Sequence, residues 1–387
     1  MNLPYKYIAG AALLLCACNY AGPDSPRPTT TRQIMPWTQD SAYWSWNGTE
    51  PVLLLGAGGD AQAFLDPDRE HKLKLLTDNG GNYALLELDL VRYQNDRSDF
   101  NEGWLDSLRH YLAAADENDV VVQVDFNLPP ATGDFGPIDP GAGPEIFRRY
   151  VRMLTPFGNV VVHTRTSRES AEALGPYDRI LTEETKERVS PLPLAGRNYY
   201  QSGFRLNPSA ASDHWMELNI RRALLGSYDN LPWNYPRIVN HGEVAAAGIT
   251  AFNRCLIAGA AAVRHAPQPA GDGFTGPGLS SLRAVRTVER MIPFWELNPA
   301  PSILAAGTDE RVLAATNGNS SFLVYLPTAM AVELRLGVRP QVPLRVTVVG
   351  YLGTRRSEVL RPPYGDSFTL FTEEARGGWL VIEPAGQ

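Results

Sequence analysis

Short apolar runs of strand character alternate with segments of helical apolar spacing over roughly 250 residues, and that alternation constrains the fold more than any other feature of the chain. The strand-like runs are residues 52–55, 83–90, 120–126 and 160–163, then 180–181, 237–240 and 261–265. Helical patterns cover residues 69–77, 103–115 and 145–154, then 211–225, 245–258 and 279–296; Leu105, Leu108 and Leu112 show the spacing. A crossover helix returns the chain to the same end of a sheet, so strands separated by helices pair in parallel. Parallel βα units over this length predict an α/β chain built on a (β/α)8 TIM barrel. The fifth and sixth units, around residues 180–200, are the least defined.

After Pro301 the pattern changes. Residues 311–315, 321–326, 332–336, 344–350, 368–372 and 378–382 are short alternating runs separated by Gly, Pro and Asn turns. They predict a small all-β sandwich over 301–387, behind a barrel over 36–300. No repeat of 20–50 residues is visible.

Composition narrows the class of partner. A net charge of −7, with no basic run, argues against a nucleic-acid partner. The body after residue 18 holds one cysteine, Cys255, so no intramolecular disulfide is expected there and the core must carry the fold.

The N-terminal segment has its own grammar. Lys6 follows a short polar start, and residues 8–15 are apolar, too few to span a bilayer as a helix. The run ends Leu15-Cys16-Ala17-Cys18, with Leu at −3 and Ala at −1 relative to Cys18. This resembles the lipobox of bacterial lipoproteins. The resemblance implies a signal peptide over 1–18, lipidation of Cys18, and a membrane-anchored place in the bacterial cell envelope, at the outer membrane or cell surface. Residues 19–35, with Ser25-Pro26-Arg27-Pro28-Thr29-Thr30-Thr31, are expected to form a flexible tether.

In a barrel of this kind, reactive groups stand at the C-terminal ends of the strands. After the first run comes Gly56-Ala57-Gly58-Gly59-Asp60, which lacks the spacing of a dinucleotide fingerprint. It reads either as a tight loop aiming Asp60 into the barrel mouth or as a plain polar loop, and no cofactor is expected. The second run ends with Glu87 and Asp89 on one face, by alternation. They form either a structural ion pair with Arg92 or a substrate-facing site, since a buried carboxylate needs a partner. The third run places Asp125 and Asn127 at its end, side chains suited to sugar hydroxyls.

The fourth run leads into His163, Thr164, Arg165 and Glu169, the seventh into His241 and Glu243, and the eighth ends Arg264-His265. Three of the six histidines thus fall at predicted strand ends. No H-x-H or H-E-x-x-H spacing supports a metal site, and no G-x-S-x-G elbow supports a serine hydrolase. Trp37, Trp44, Trp46, Trp215, Trp233 and Trp295 fit sugar stacking or core packing equally well. Trp233, in an Asn/Pro-rich stretch before the seventh run, is the best stacking candidate.

Four pieces, in order, resemble bacterial glycoside-hydrolase-type barrels, including apiosidase-like enzymes, whose C-terminal sandwich is named for collagen binding. They are Trp44-Ser45-Trp46-Asn47-Gly48 before Pro51-Val52-Leu53-Leu54-Leu55-Gly56, Leu76-Thr77-Asp78-Asn79-Gly80-Gly81-Asn82-Tyr83, Val122-Gln123-Val124-Asp125, and Gly259-Ala260-Ala261-Ala262-Val263-Arg264-His265-Ala266-Pro267. The resemblance runs from about residue 40 to the end of the chain. It implies paired carboxylates flanking a glycosidic bond, one ending the fourth strand as Asn-Glu and one ending the seventh. Glu243 matches the second position. Thr164-Arg165-Thr166-Ser167 stands where Asn-Glu belongs, which leaves Asp125 or Glu169 as the substitute acid.

Three functions follow. One is a glycoside hydrolase acting on a polysaccharide or oligosaccharide, with Glu243 as nucleophile or base, Asp125 or Glu169 as acid, and Asp60, Asn127, His163, Arg165, Trp233, His241, Arg264 and His265 binding substrate. The second is a catalytically degenerate glycan-binding lipoprotein using the same cleft. The third is a purely structural envelope lipoprotein, which leaves the polar strand ends unexplained. A carboxylate separation of about 5–10 Å across an open cleft separates the first from the second.

Overall fold

A computed structural model describes residues 32–40, 43–57, 63–89, 94–95, 99–100, 102–127, 142–165, 238–241, 246–257, 259–265, 276–309, 311–318, 320–335, 342–361 and 367–385. The expected strand at 180–181 and helix at 211–225 lie outside them.

The chain opens with three short strands, β1 (Ile34–Pro36), β2 (Trp44–Trp46) and β3 (Glu50–Val52), paired antiparallel in that order. Residues 34–35, expected in the tether, therefore belong to the folded body, where Ile34 is fully buried. The barrel follows as β4 (Leu54–Ala57), α1 (Arg69–Asp78), β5 (Tyr83–Asp89), a small ribbon of β6 (Gln94–Asn95) and β7 (Asp99–Phe100), α2 (Glu102–Glu117), β8 (Val121–Asn127), α3 (Ala142–Leu154) and β9 (Val160–Arg165). It resumes with β10 (Ile238–His241), α4 (Ala246–Ile257), β11 (Ala262–His265) and α5 (Gly276–Glu289). The run expected at 52–55 is thus divided between β3 and β4.

Six strands form one parallel sheet in the order β10-β11-β4-β5-β8-β9. The last of them in sequence, β11, pairs in parallel with the first, β4, which is the joint that closes a barrel. Leu53, Leu55, Leu86, Leu88, Val122, Val124, Phe126 and Val162 face the helices, while Leu54, Tyr83, Val121, Val161 and Ala262 form the lowest interior layer. Both faces being dry explains why these strands read as continuous apolar runs. The interior layer rests on Ile34, Tyr43, Trp44 and Trp46, so β1–β3 make the floor of the barrel.

One turn shows how the helices are pinned to the sheet. Asn82 accepts from the Leu55 N–H at 2.9 Å through Oδ1, and its own N–H donates to the Leu55 carbonyl at 2.8 Å. Gly80, at φ 82°, lies against Arg286 of α5, which donates through Nε to the Gly80 carbonyl and through Nη2 to that of Leu53. A side chain at Gly80 would be strained in this backbone conformation and would meet Arg286.

The C-terminal part is antiparallel. Its main sheet runs β12 (Asn298–Pro299), β13 (Leu313–Thr316), β14 (Phe322–Leu326), β19 (Gly378–Pro384), β16 (Leu344–Gly350) and β17 (Arg355–Leu360), with β15 (Met330–Leu334) and β18 (Phe368–Thr372) as a two-stranded partner. β12 places the start of this sheet before residue 301. One face of the main sheet (Val324, Leu326, Val346, Leu380, Ile382) packs toward β15 and β18. The other (Leu313, Leu323, Tyr325, Val349, Trp379, Val381) joins the core that holds α4 and α5.

Candidate functional site

The strand register gathers several of the expected polar residues at the C-terminal end of the parallel sheet. Position 125 on β8 pairs with 87 on β5 and 163 on β9, so Glu87, Asp125 and His163 share one row. Two residues further on, Asp89, Asn127 and Arg165 share the next. Neighbouring strands lie about 4.8 Å apart, so each row spans three strands within about 10 Å. Counting back by twos from these positions leads to Gln123, Val121, Tyr83 and Val161, and the last three belong to the interior layer. The rows therefore continue the interior alternation upward to the mouth.

Beneath them the interior carries a polar pair. The Tyr83 hydroxyl donates to Gln123 Oε1 at 2.6 Å, both residues being buried. That bond satisfies two groups that would be costly to bury alone.

On the other side of the closing joint, Asn240 pairs with Arg264 and His241 with His265. Arg264 pairs in turn with Gly56. A Cβ built at Gly56 would stand 2.4 Å from the Tyr83 carbonyl oxygen, 2.9 Å from Arg264 Cβ and 3.0 Å from Tyr83 Cδ1. Only glycine leaves the space that Arg264 and Tyr83 occupy, which gives this residue a packing role inside the barrel. Arg264 is 5 % exposed, so most of its side chain is enclosed.

His265 is a correction to the expected site. Its ring stacks on Phe252 of α4 with centroids 4.1 Å apart and planes at 11°, and the residue is 1 % exposed. It follows Val263 on the helix side of β11, so it is a packing residue between strand and helix and not a wall of the mouth.

The tryptophans divide likewise. Trp44 and Trp46 belong to the floor, at the opposite end from the strand-end rows, with the Arg32 guanidinium 4.4 Å above the Trp46 ring. Trp37 meets Trp295 edge-on at 6.4 Å, at the same floor cluster. Cys18, Asp60, Glu169, Trp215, Trp233 and Glu243 lie outside the described residues. Among the described residues, no three His, Cys, Asp or Glu side chains are grouped to hold a metal ion, and no helix is long and apolar enough to cross a membrane.

Glu87 and Asp89 are the residues whose importance sequence reasoning left undecided. Their alternation was readable, but the pairing that sets them beside Asp125 and Asn127 is a long-range register.

No family model and no curated protein matches the chain. Solved structures do. The chain is similar to a glycoside hydrolase of family 5 from Bacteroides vulgatus, with a TM-score of 0.65 at 12% identity, covering 92% of this chain and 93% of that one. A second glycoside hydrolase gives a TM-score of 0.64 at 11% identity, over 92% of this chain and 97% of that one. A family 39 glycoside hydrolase from Bacteroides cellulosilyticus gives 0.50 at 7% identity, over 88% and 84%. The fold is that of glycoside-hydrolase-type (β/α)8 barrels, with the antiparallel sheets appended.

Proposed function

We propose that this chain is a cell-envelope lipoprotein that hydrolyses glycosidic bonds in a polysaccharide or oligosaccharide, with Glu243 as nucleophile or base and Asp125 as the acid. The observation that carries this reading is the pair of strand-end rows, Glu87–Asp125–His163 and Asp89–Asn127–Arg165, at the end of the barrel where such folds do their chemistry. Carboxylates supply the proton transfer and charge stabilisation that glycoside cleavage requires, and the amide, imidazole and guanidinium groups suit sugar hydroxyls. Asp60, Asn127, His163, Arg165, His241 and Trp233 complete the proposed subsites. Glu169 gives way to Asp125, because Asp125 is paired with Glu87 near the C-terminal end of β8. The lipidated Cys18 would hold the barrel at the membrane surface.

A second reading, glycan binding without cleavage, is favoured by one feature. The fourth strand ends His163-Thr164-Arg165, where the resembled enzymes carry a glutamate.

The test is a polysaccharide panel presented to the purified chain lacking its first 18 residues, recording both binding and product release. Glu243→Gln should abolish release while binding and melting temperature persist, and Asp125→Asn should lower the rate by about 10²–10⁴-fold. Wild-type turnover by Glu243→Gln refutes the assignment. Binding by the wild-type chain without release establishes the second reading.

A further inference from the structure

The chain enters its folded body at the floor of the barrel, and several bonds fix the point of entry. Ile34 is fully buried there, and its N–H donates to the Gly158 carbonyl at 2.8 Å. Asn47 grips Gln33 twice: its Oδ1 accepts from the Gln33 N–H at 2.9 Å, and its own N–H donates to the Gln33 carbonyl at 2.8 Å. The Arg32 guanidinium lies over Trp46 and donates to Asp119 at 2.8 Å. A Cβ built at Gly158 would stand 1.9 Å from the Arg32 carbonyl oxygen, so the Arg32 backbone packs directly on that glycine. Asp119 and Gly158 lie just before β8 and β9, at the opposite end of those strands from Asp125, Asn127, His163 and Arg165.

The depth of the barrel wall can be compared with the reach of the segment before it. Helix α2 runs its 16 residues from the mouth end at Glu102 to the floor end at Glu117, a rise of about 24 Å. Residues 19–31 separate Cys18 from Arg32. A flexible chain of that length spans about 20 Å on average and about 45 Å at full stretch. Turning the mouth toward the membrane would draw that segment up the wall and past the rim, near its full extension and against chain entropy.

We infer that the strand-end rows face away from the membrane that holds Cys18, so that the barrel takes glycans presented outside that membrane and not the headgroups of its own lipids. The orientation rests on the lipid anchor of the proposed function; the floor entry of the chain does not. It holds alike for cleavage and for binding without cleavage.

Energy transfer tests the orientation on the full chain, processed and lipidated in a bacterial host and reconstituted into phosphatidylcholine vesicles that carry an acceptor-labelled lipid. In a Cys255→Ala background, the donor dye is attached at Glu117→Cys or at Glu102→Cys, both exposed positions. The donor at 117 should lie about 20 Å nearer the vesicle surface than the donor at 102, as the length of α2 sets, and its transfer should be severalfold stronger. Equal transfer from the two positions of a vesicle-bound chain, or stronger transfer from 102, overturns the orientation and leaves the anchor standing. A full chain that does not join the vesicles overturns the anchor, and the orientation with it.

Discussion

Trp379→Ala should loosen the barrel and the C-terminal sheets together, in a single transition. Trp379 lies on β19 and is 2 % exposed. Its ring meets Phe294, just after α5, edge-on at 5.9 Å, and Tyr325 of β14 at 5.0 Å. The Tyr325 hydroxyl in turn lies 3.4 Å from Thr250 Oγ1 of α4. A buried tryptophan removes about 150–250 Å² from water, which at about 25 cal/mol per Å² corresponds to roughly 4–6 kcal/mol. Measured aromatic-to-alanine losses of about 3–5 kcal/mol agree with that figure. Against a total stability of about 5–15 kcal/mol, the variant should remain folded but unfold at a much lower urea concentration. Tryptophan fluorescence and far-UV circular dichroism should move together in both proteins, because Leu313, Tyr325, Val349 and Trp379 share one core with the barrel helices. Loss of the fluorescence change at low urea, with the helical signal intact until higher urea, would refute a shared core.

Asp309→Asn tests the electrostatics of the turn before β13. The Arg311 side chain and backbone N–H both donate to the Asp309 carboxylate and hold it at about 2 against an ordinary 3.8. A depressed carboxylate stabilises the fold above its ordinary pKa and stops doing so as pH falls toward about 2, so the melting-temperature gap between wild type and variant should be open at pH 7 and close between about pH 4 and pH 2. With Arg311 half exposed, solvent screening keeps the effect under about 1 kcal/mol, and a gap that persists at pH 2 would contradict the pairing. Cys18→Ser should move the protein from the membrane fraction to the soluble fraction of cells expressing the full chain. Continued sedimentation with membranes would sink the lipid anchor.

What the sequence revealed of the fold follows from burial. The first halves of strands β5, β8 and β9 are dry on both faces and so stand out as apolar runs whatever their register. The antiparallel strands β14, β16 and β19 are nearly as legible, since both faces of the main sheet are covered. β17 was missed because its residues are mostly exposed: Arg355, Arg356, Ser357 and Glu358 carry no apolar alternation, and only pairing with β16 makes them a strand. The floor strands β1 and β2 were missed for brevity, three residues each being too few for a period. Trp44 and Trp46 consequently read as possible sugar platforms when they are the barrel's lowest packing layer.

The site divides along the same line. The rule that chemistry follows each apolar run selected Arg264 and His265 together, yet consecutive residues of a strand face opposite ways. Ala261, Ala262 and Val263 are all apolar and fully buried, so nothing in that run says which face is which, and only the Phe252 stack and the Gly56 contact separate the two. The third strand differs. Gln123 breaks the run Val120–Val124 on the interior side, and alternation then carries positions 125 and 127 upward on that side. On the fourth strand the same count falls on His163 and Arg165, with no carboxylate at either. Under the proposed function the proton donor therefore comes from the third strand, one strand away from its place in the resembled enzymes. Such a shift moves the acid around the rim relative to Glu243, and the carboxylate separation, about 5 Å for retention or about 6.5–9.5 Å for inversion, becomes the measurement that fixes the stereochemical course.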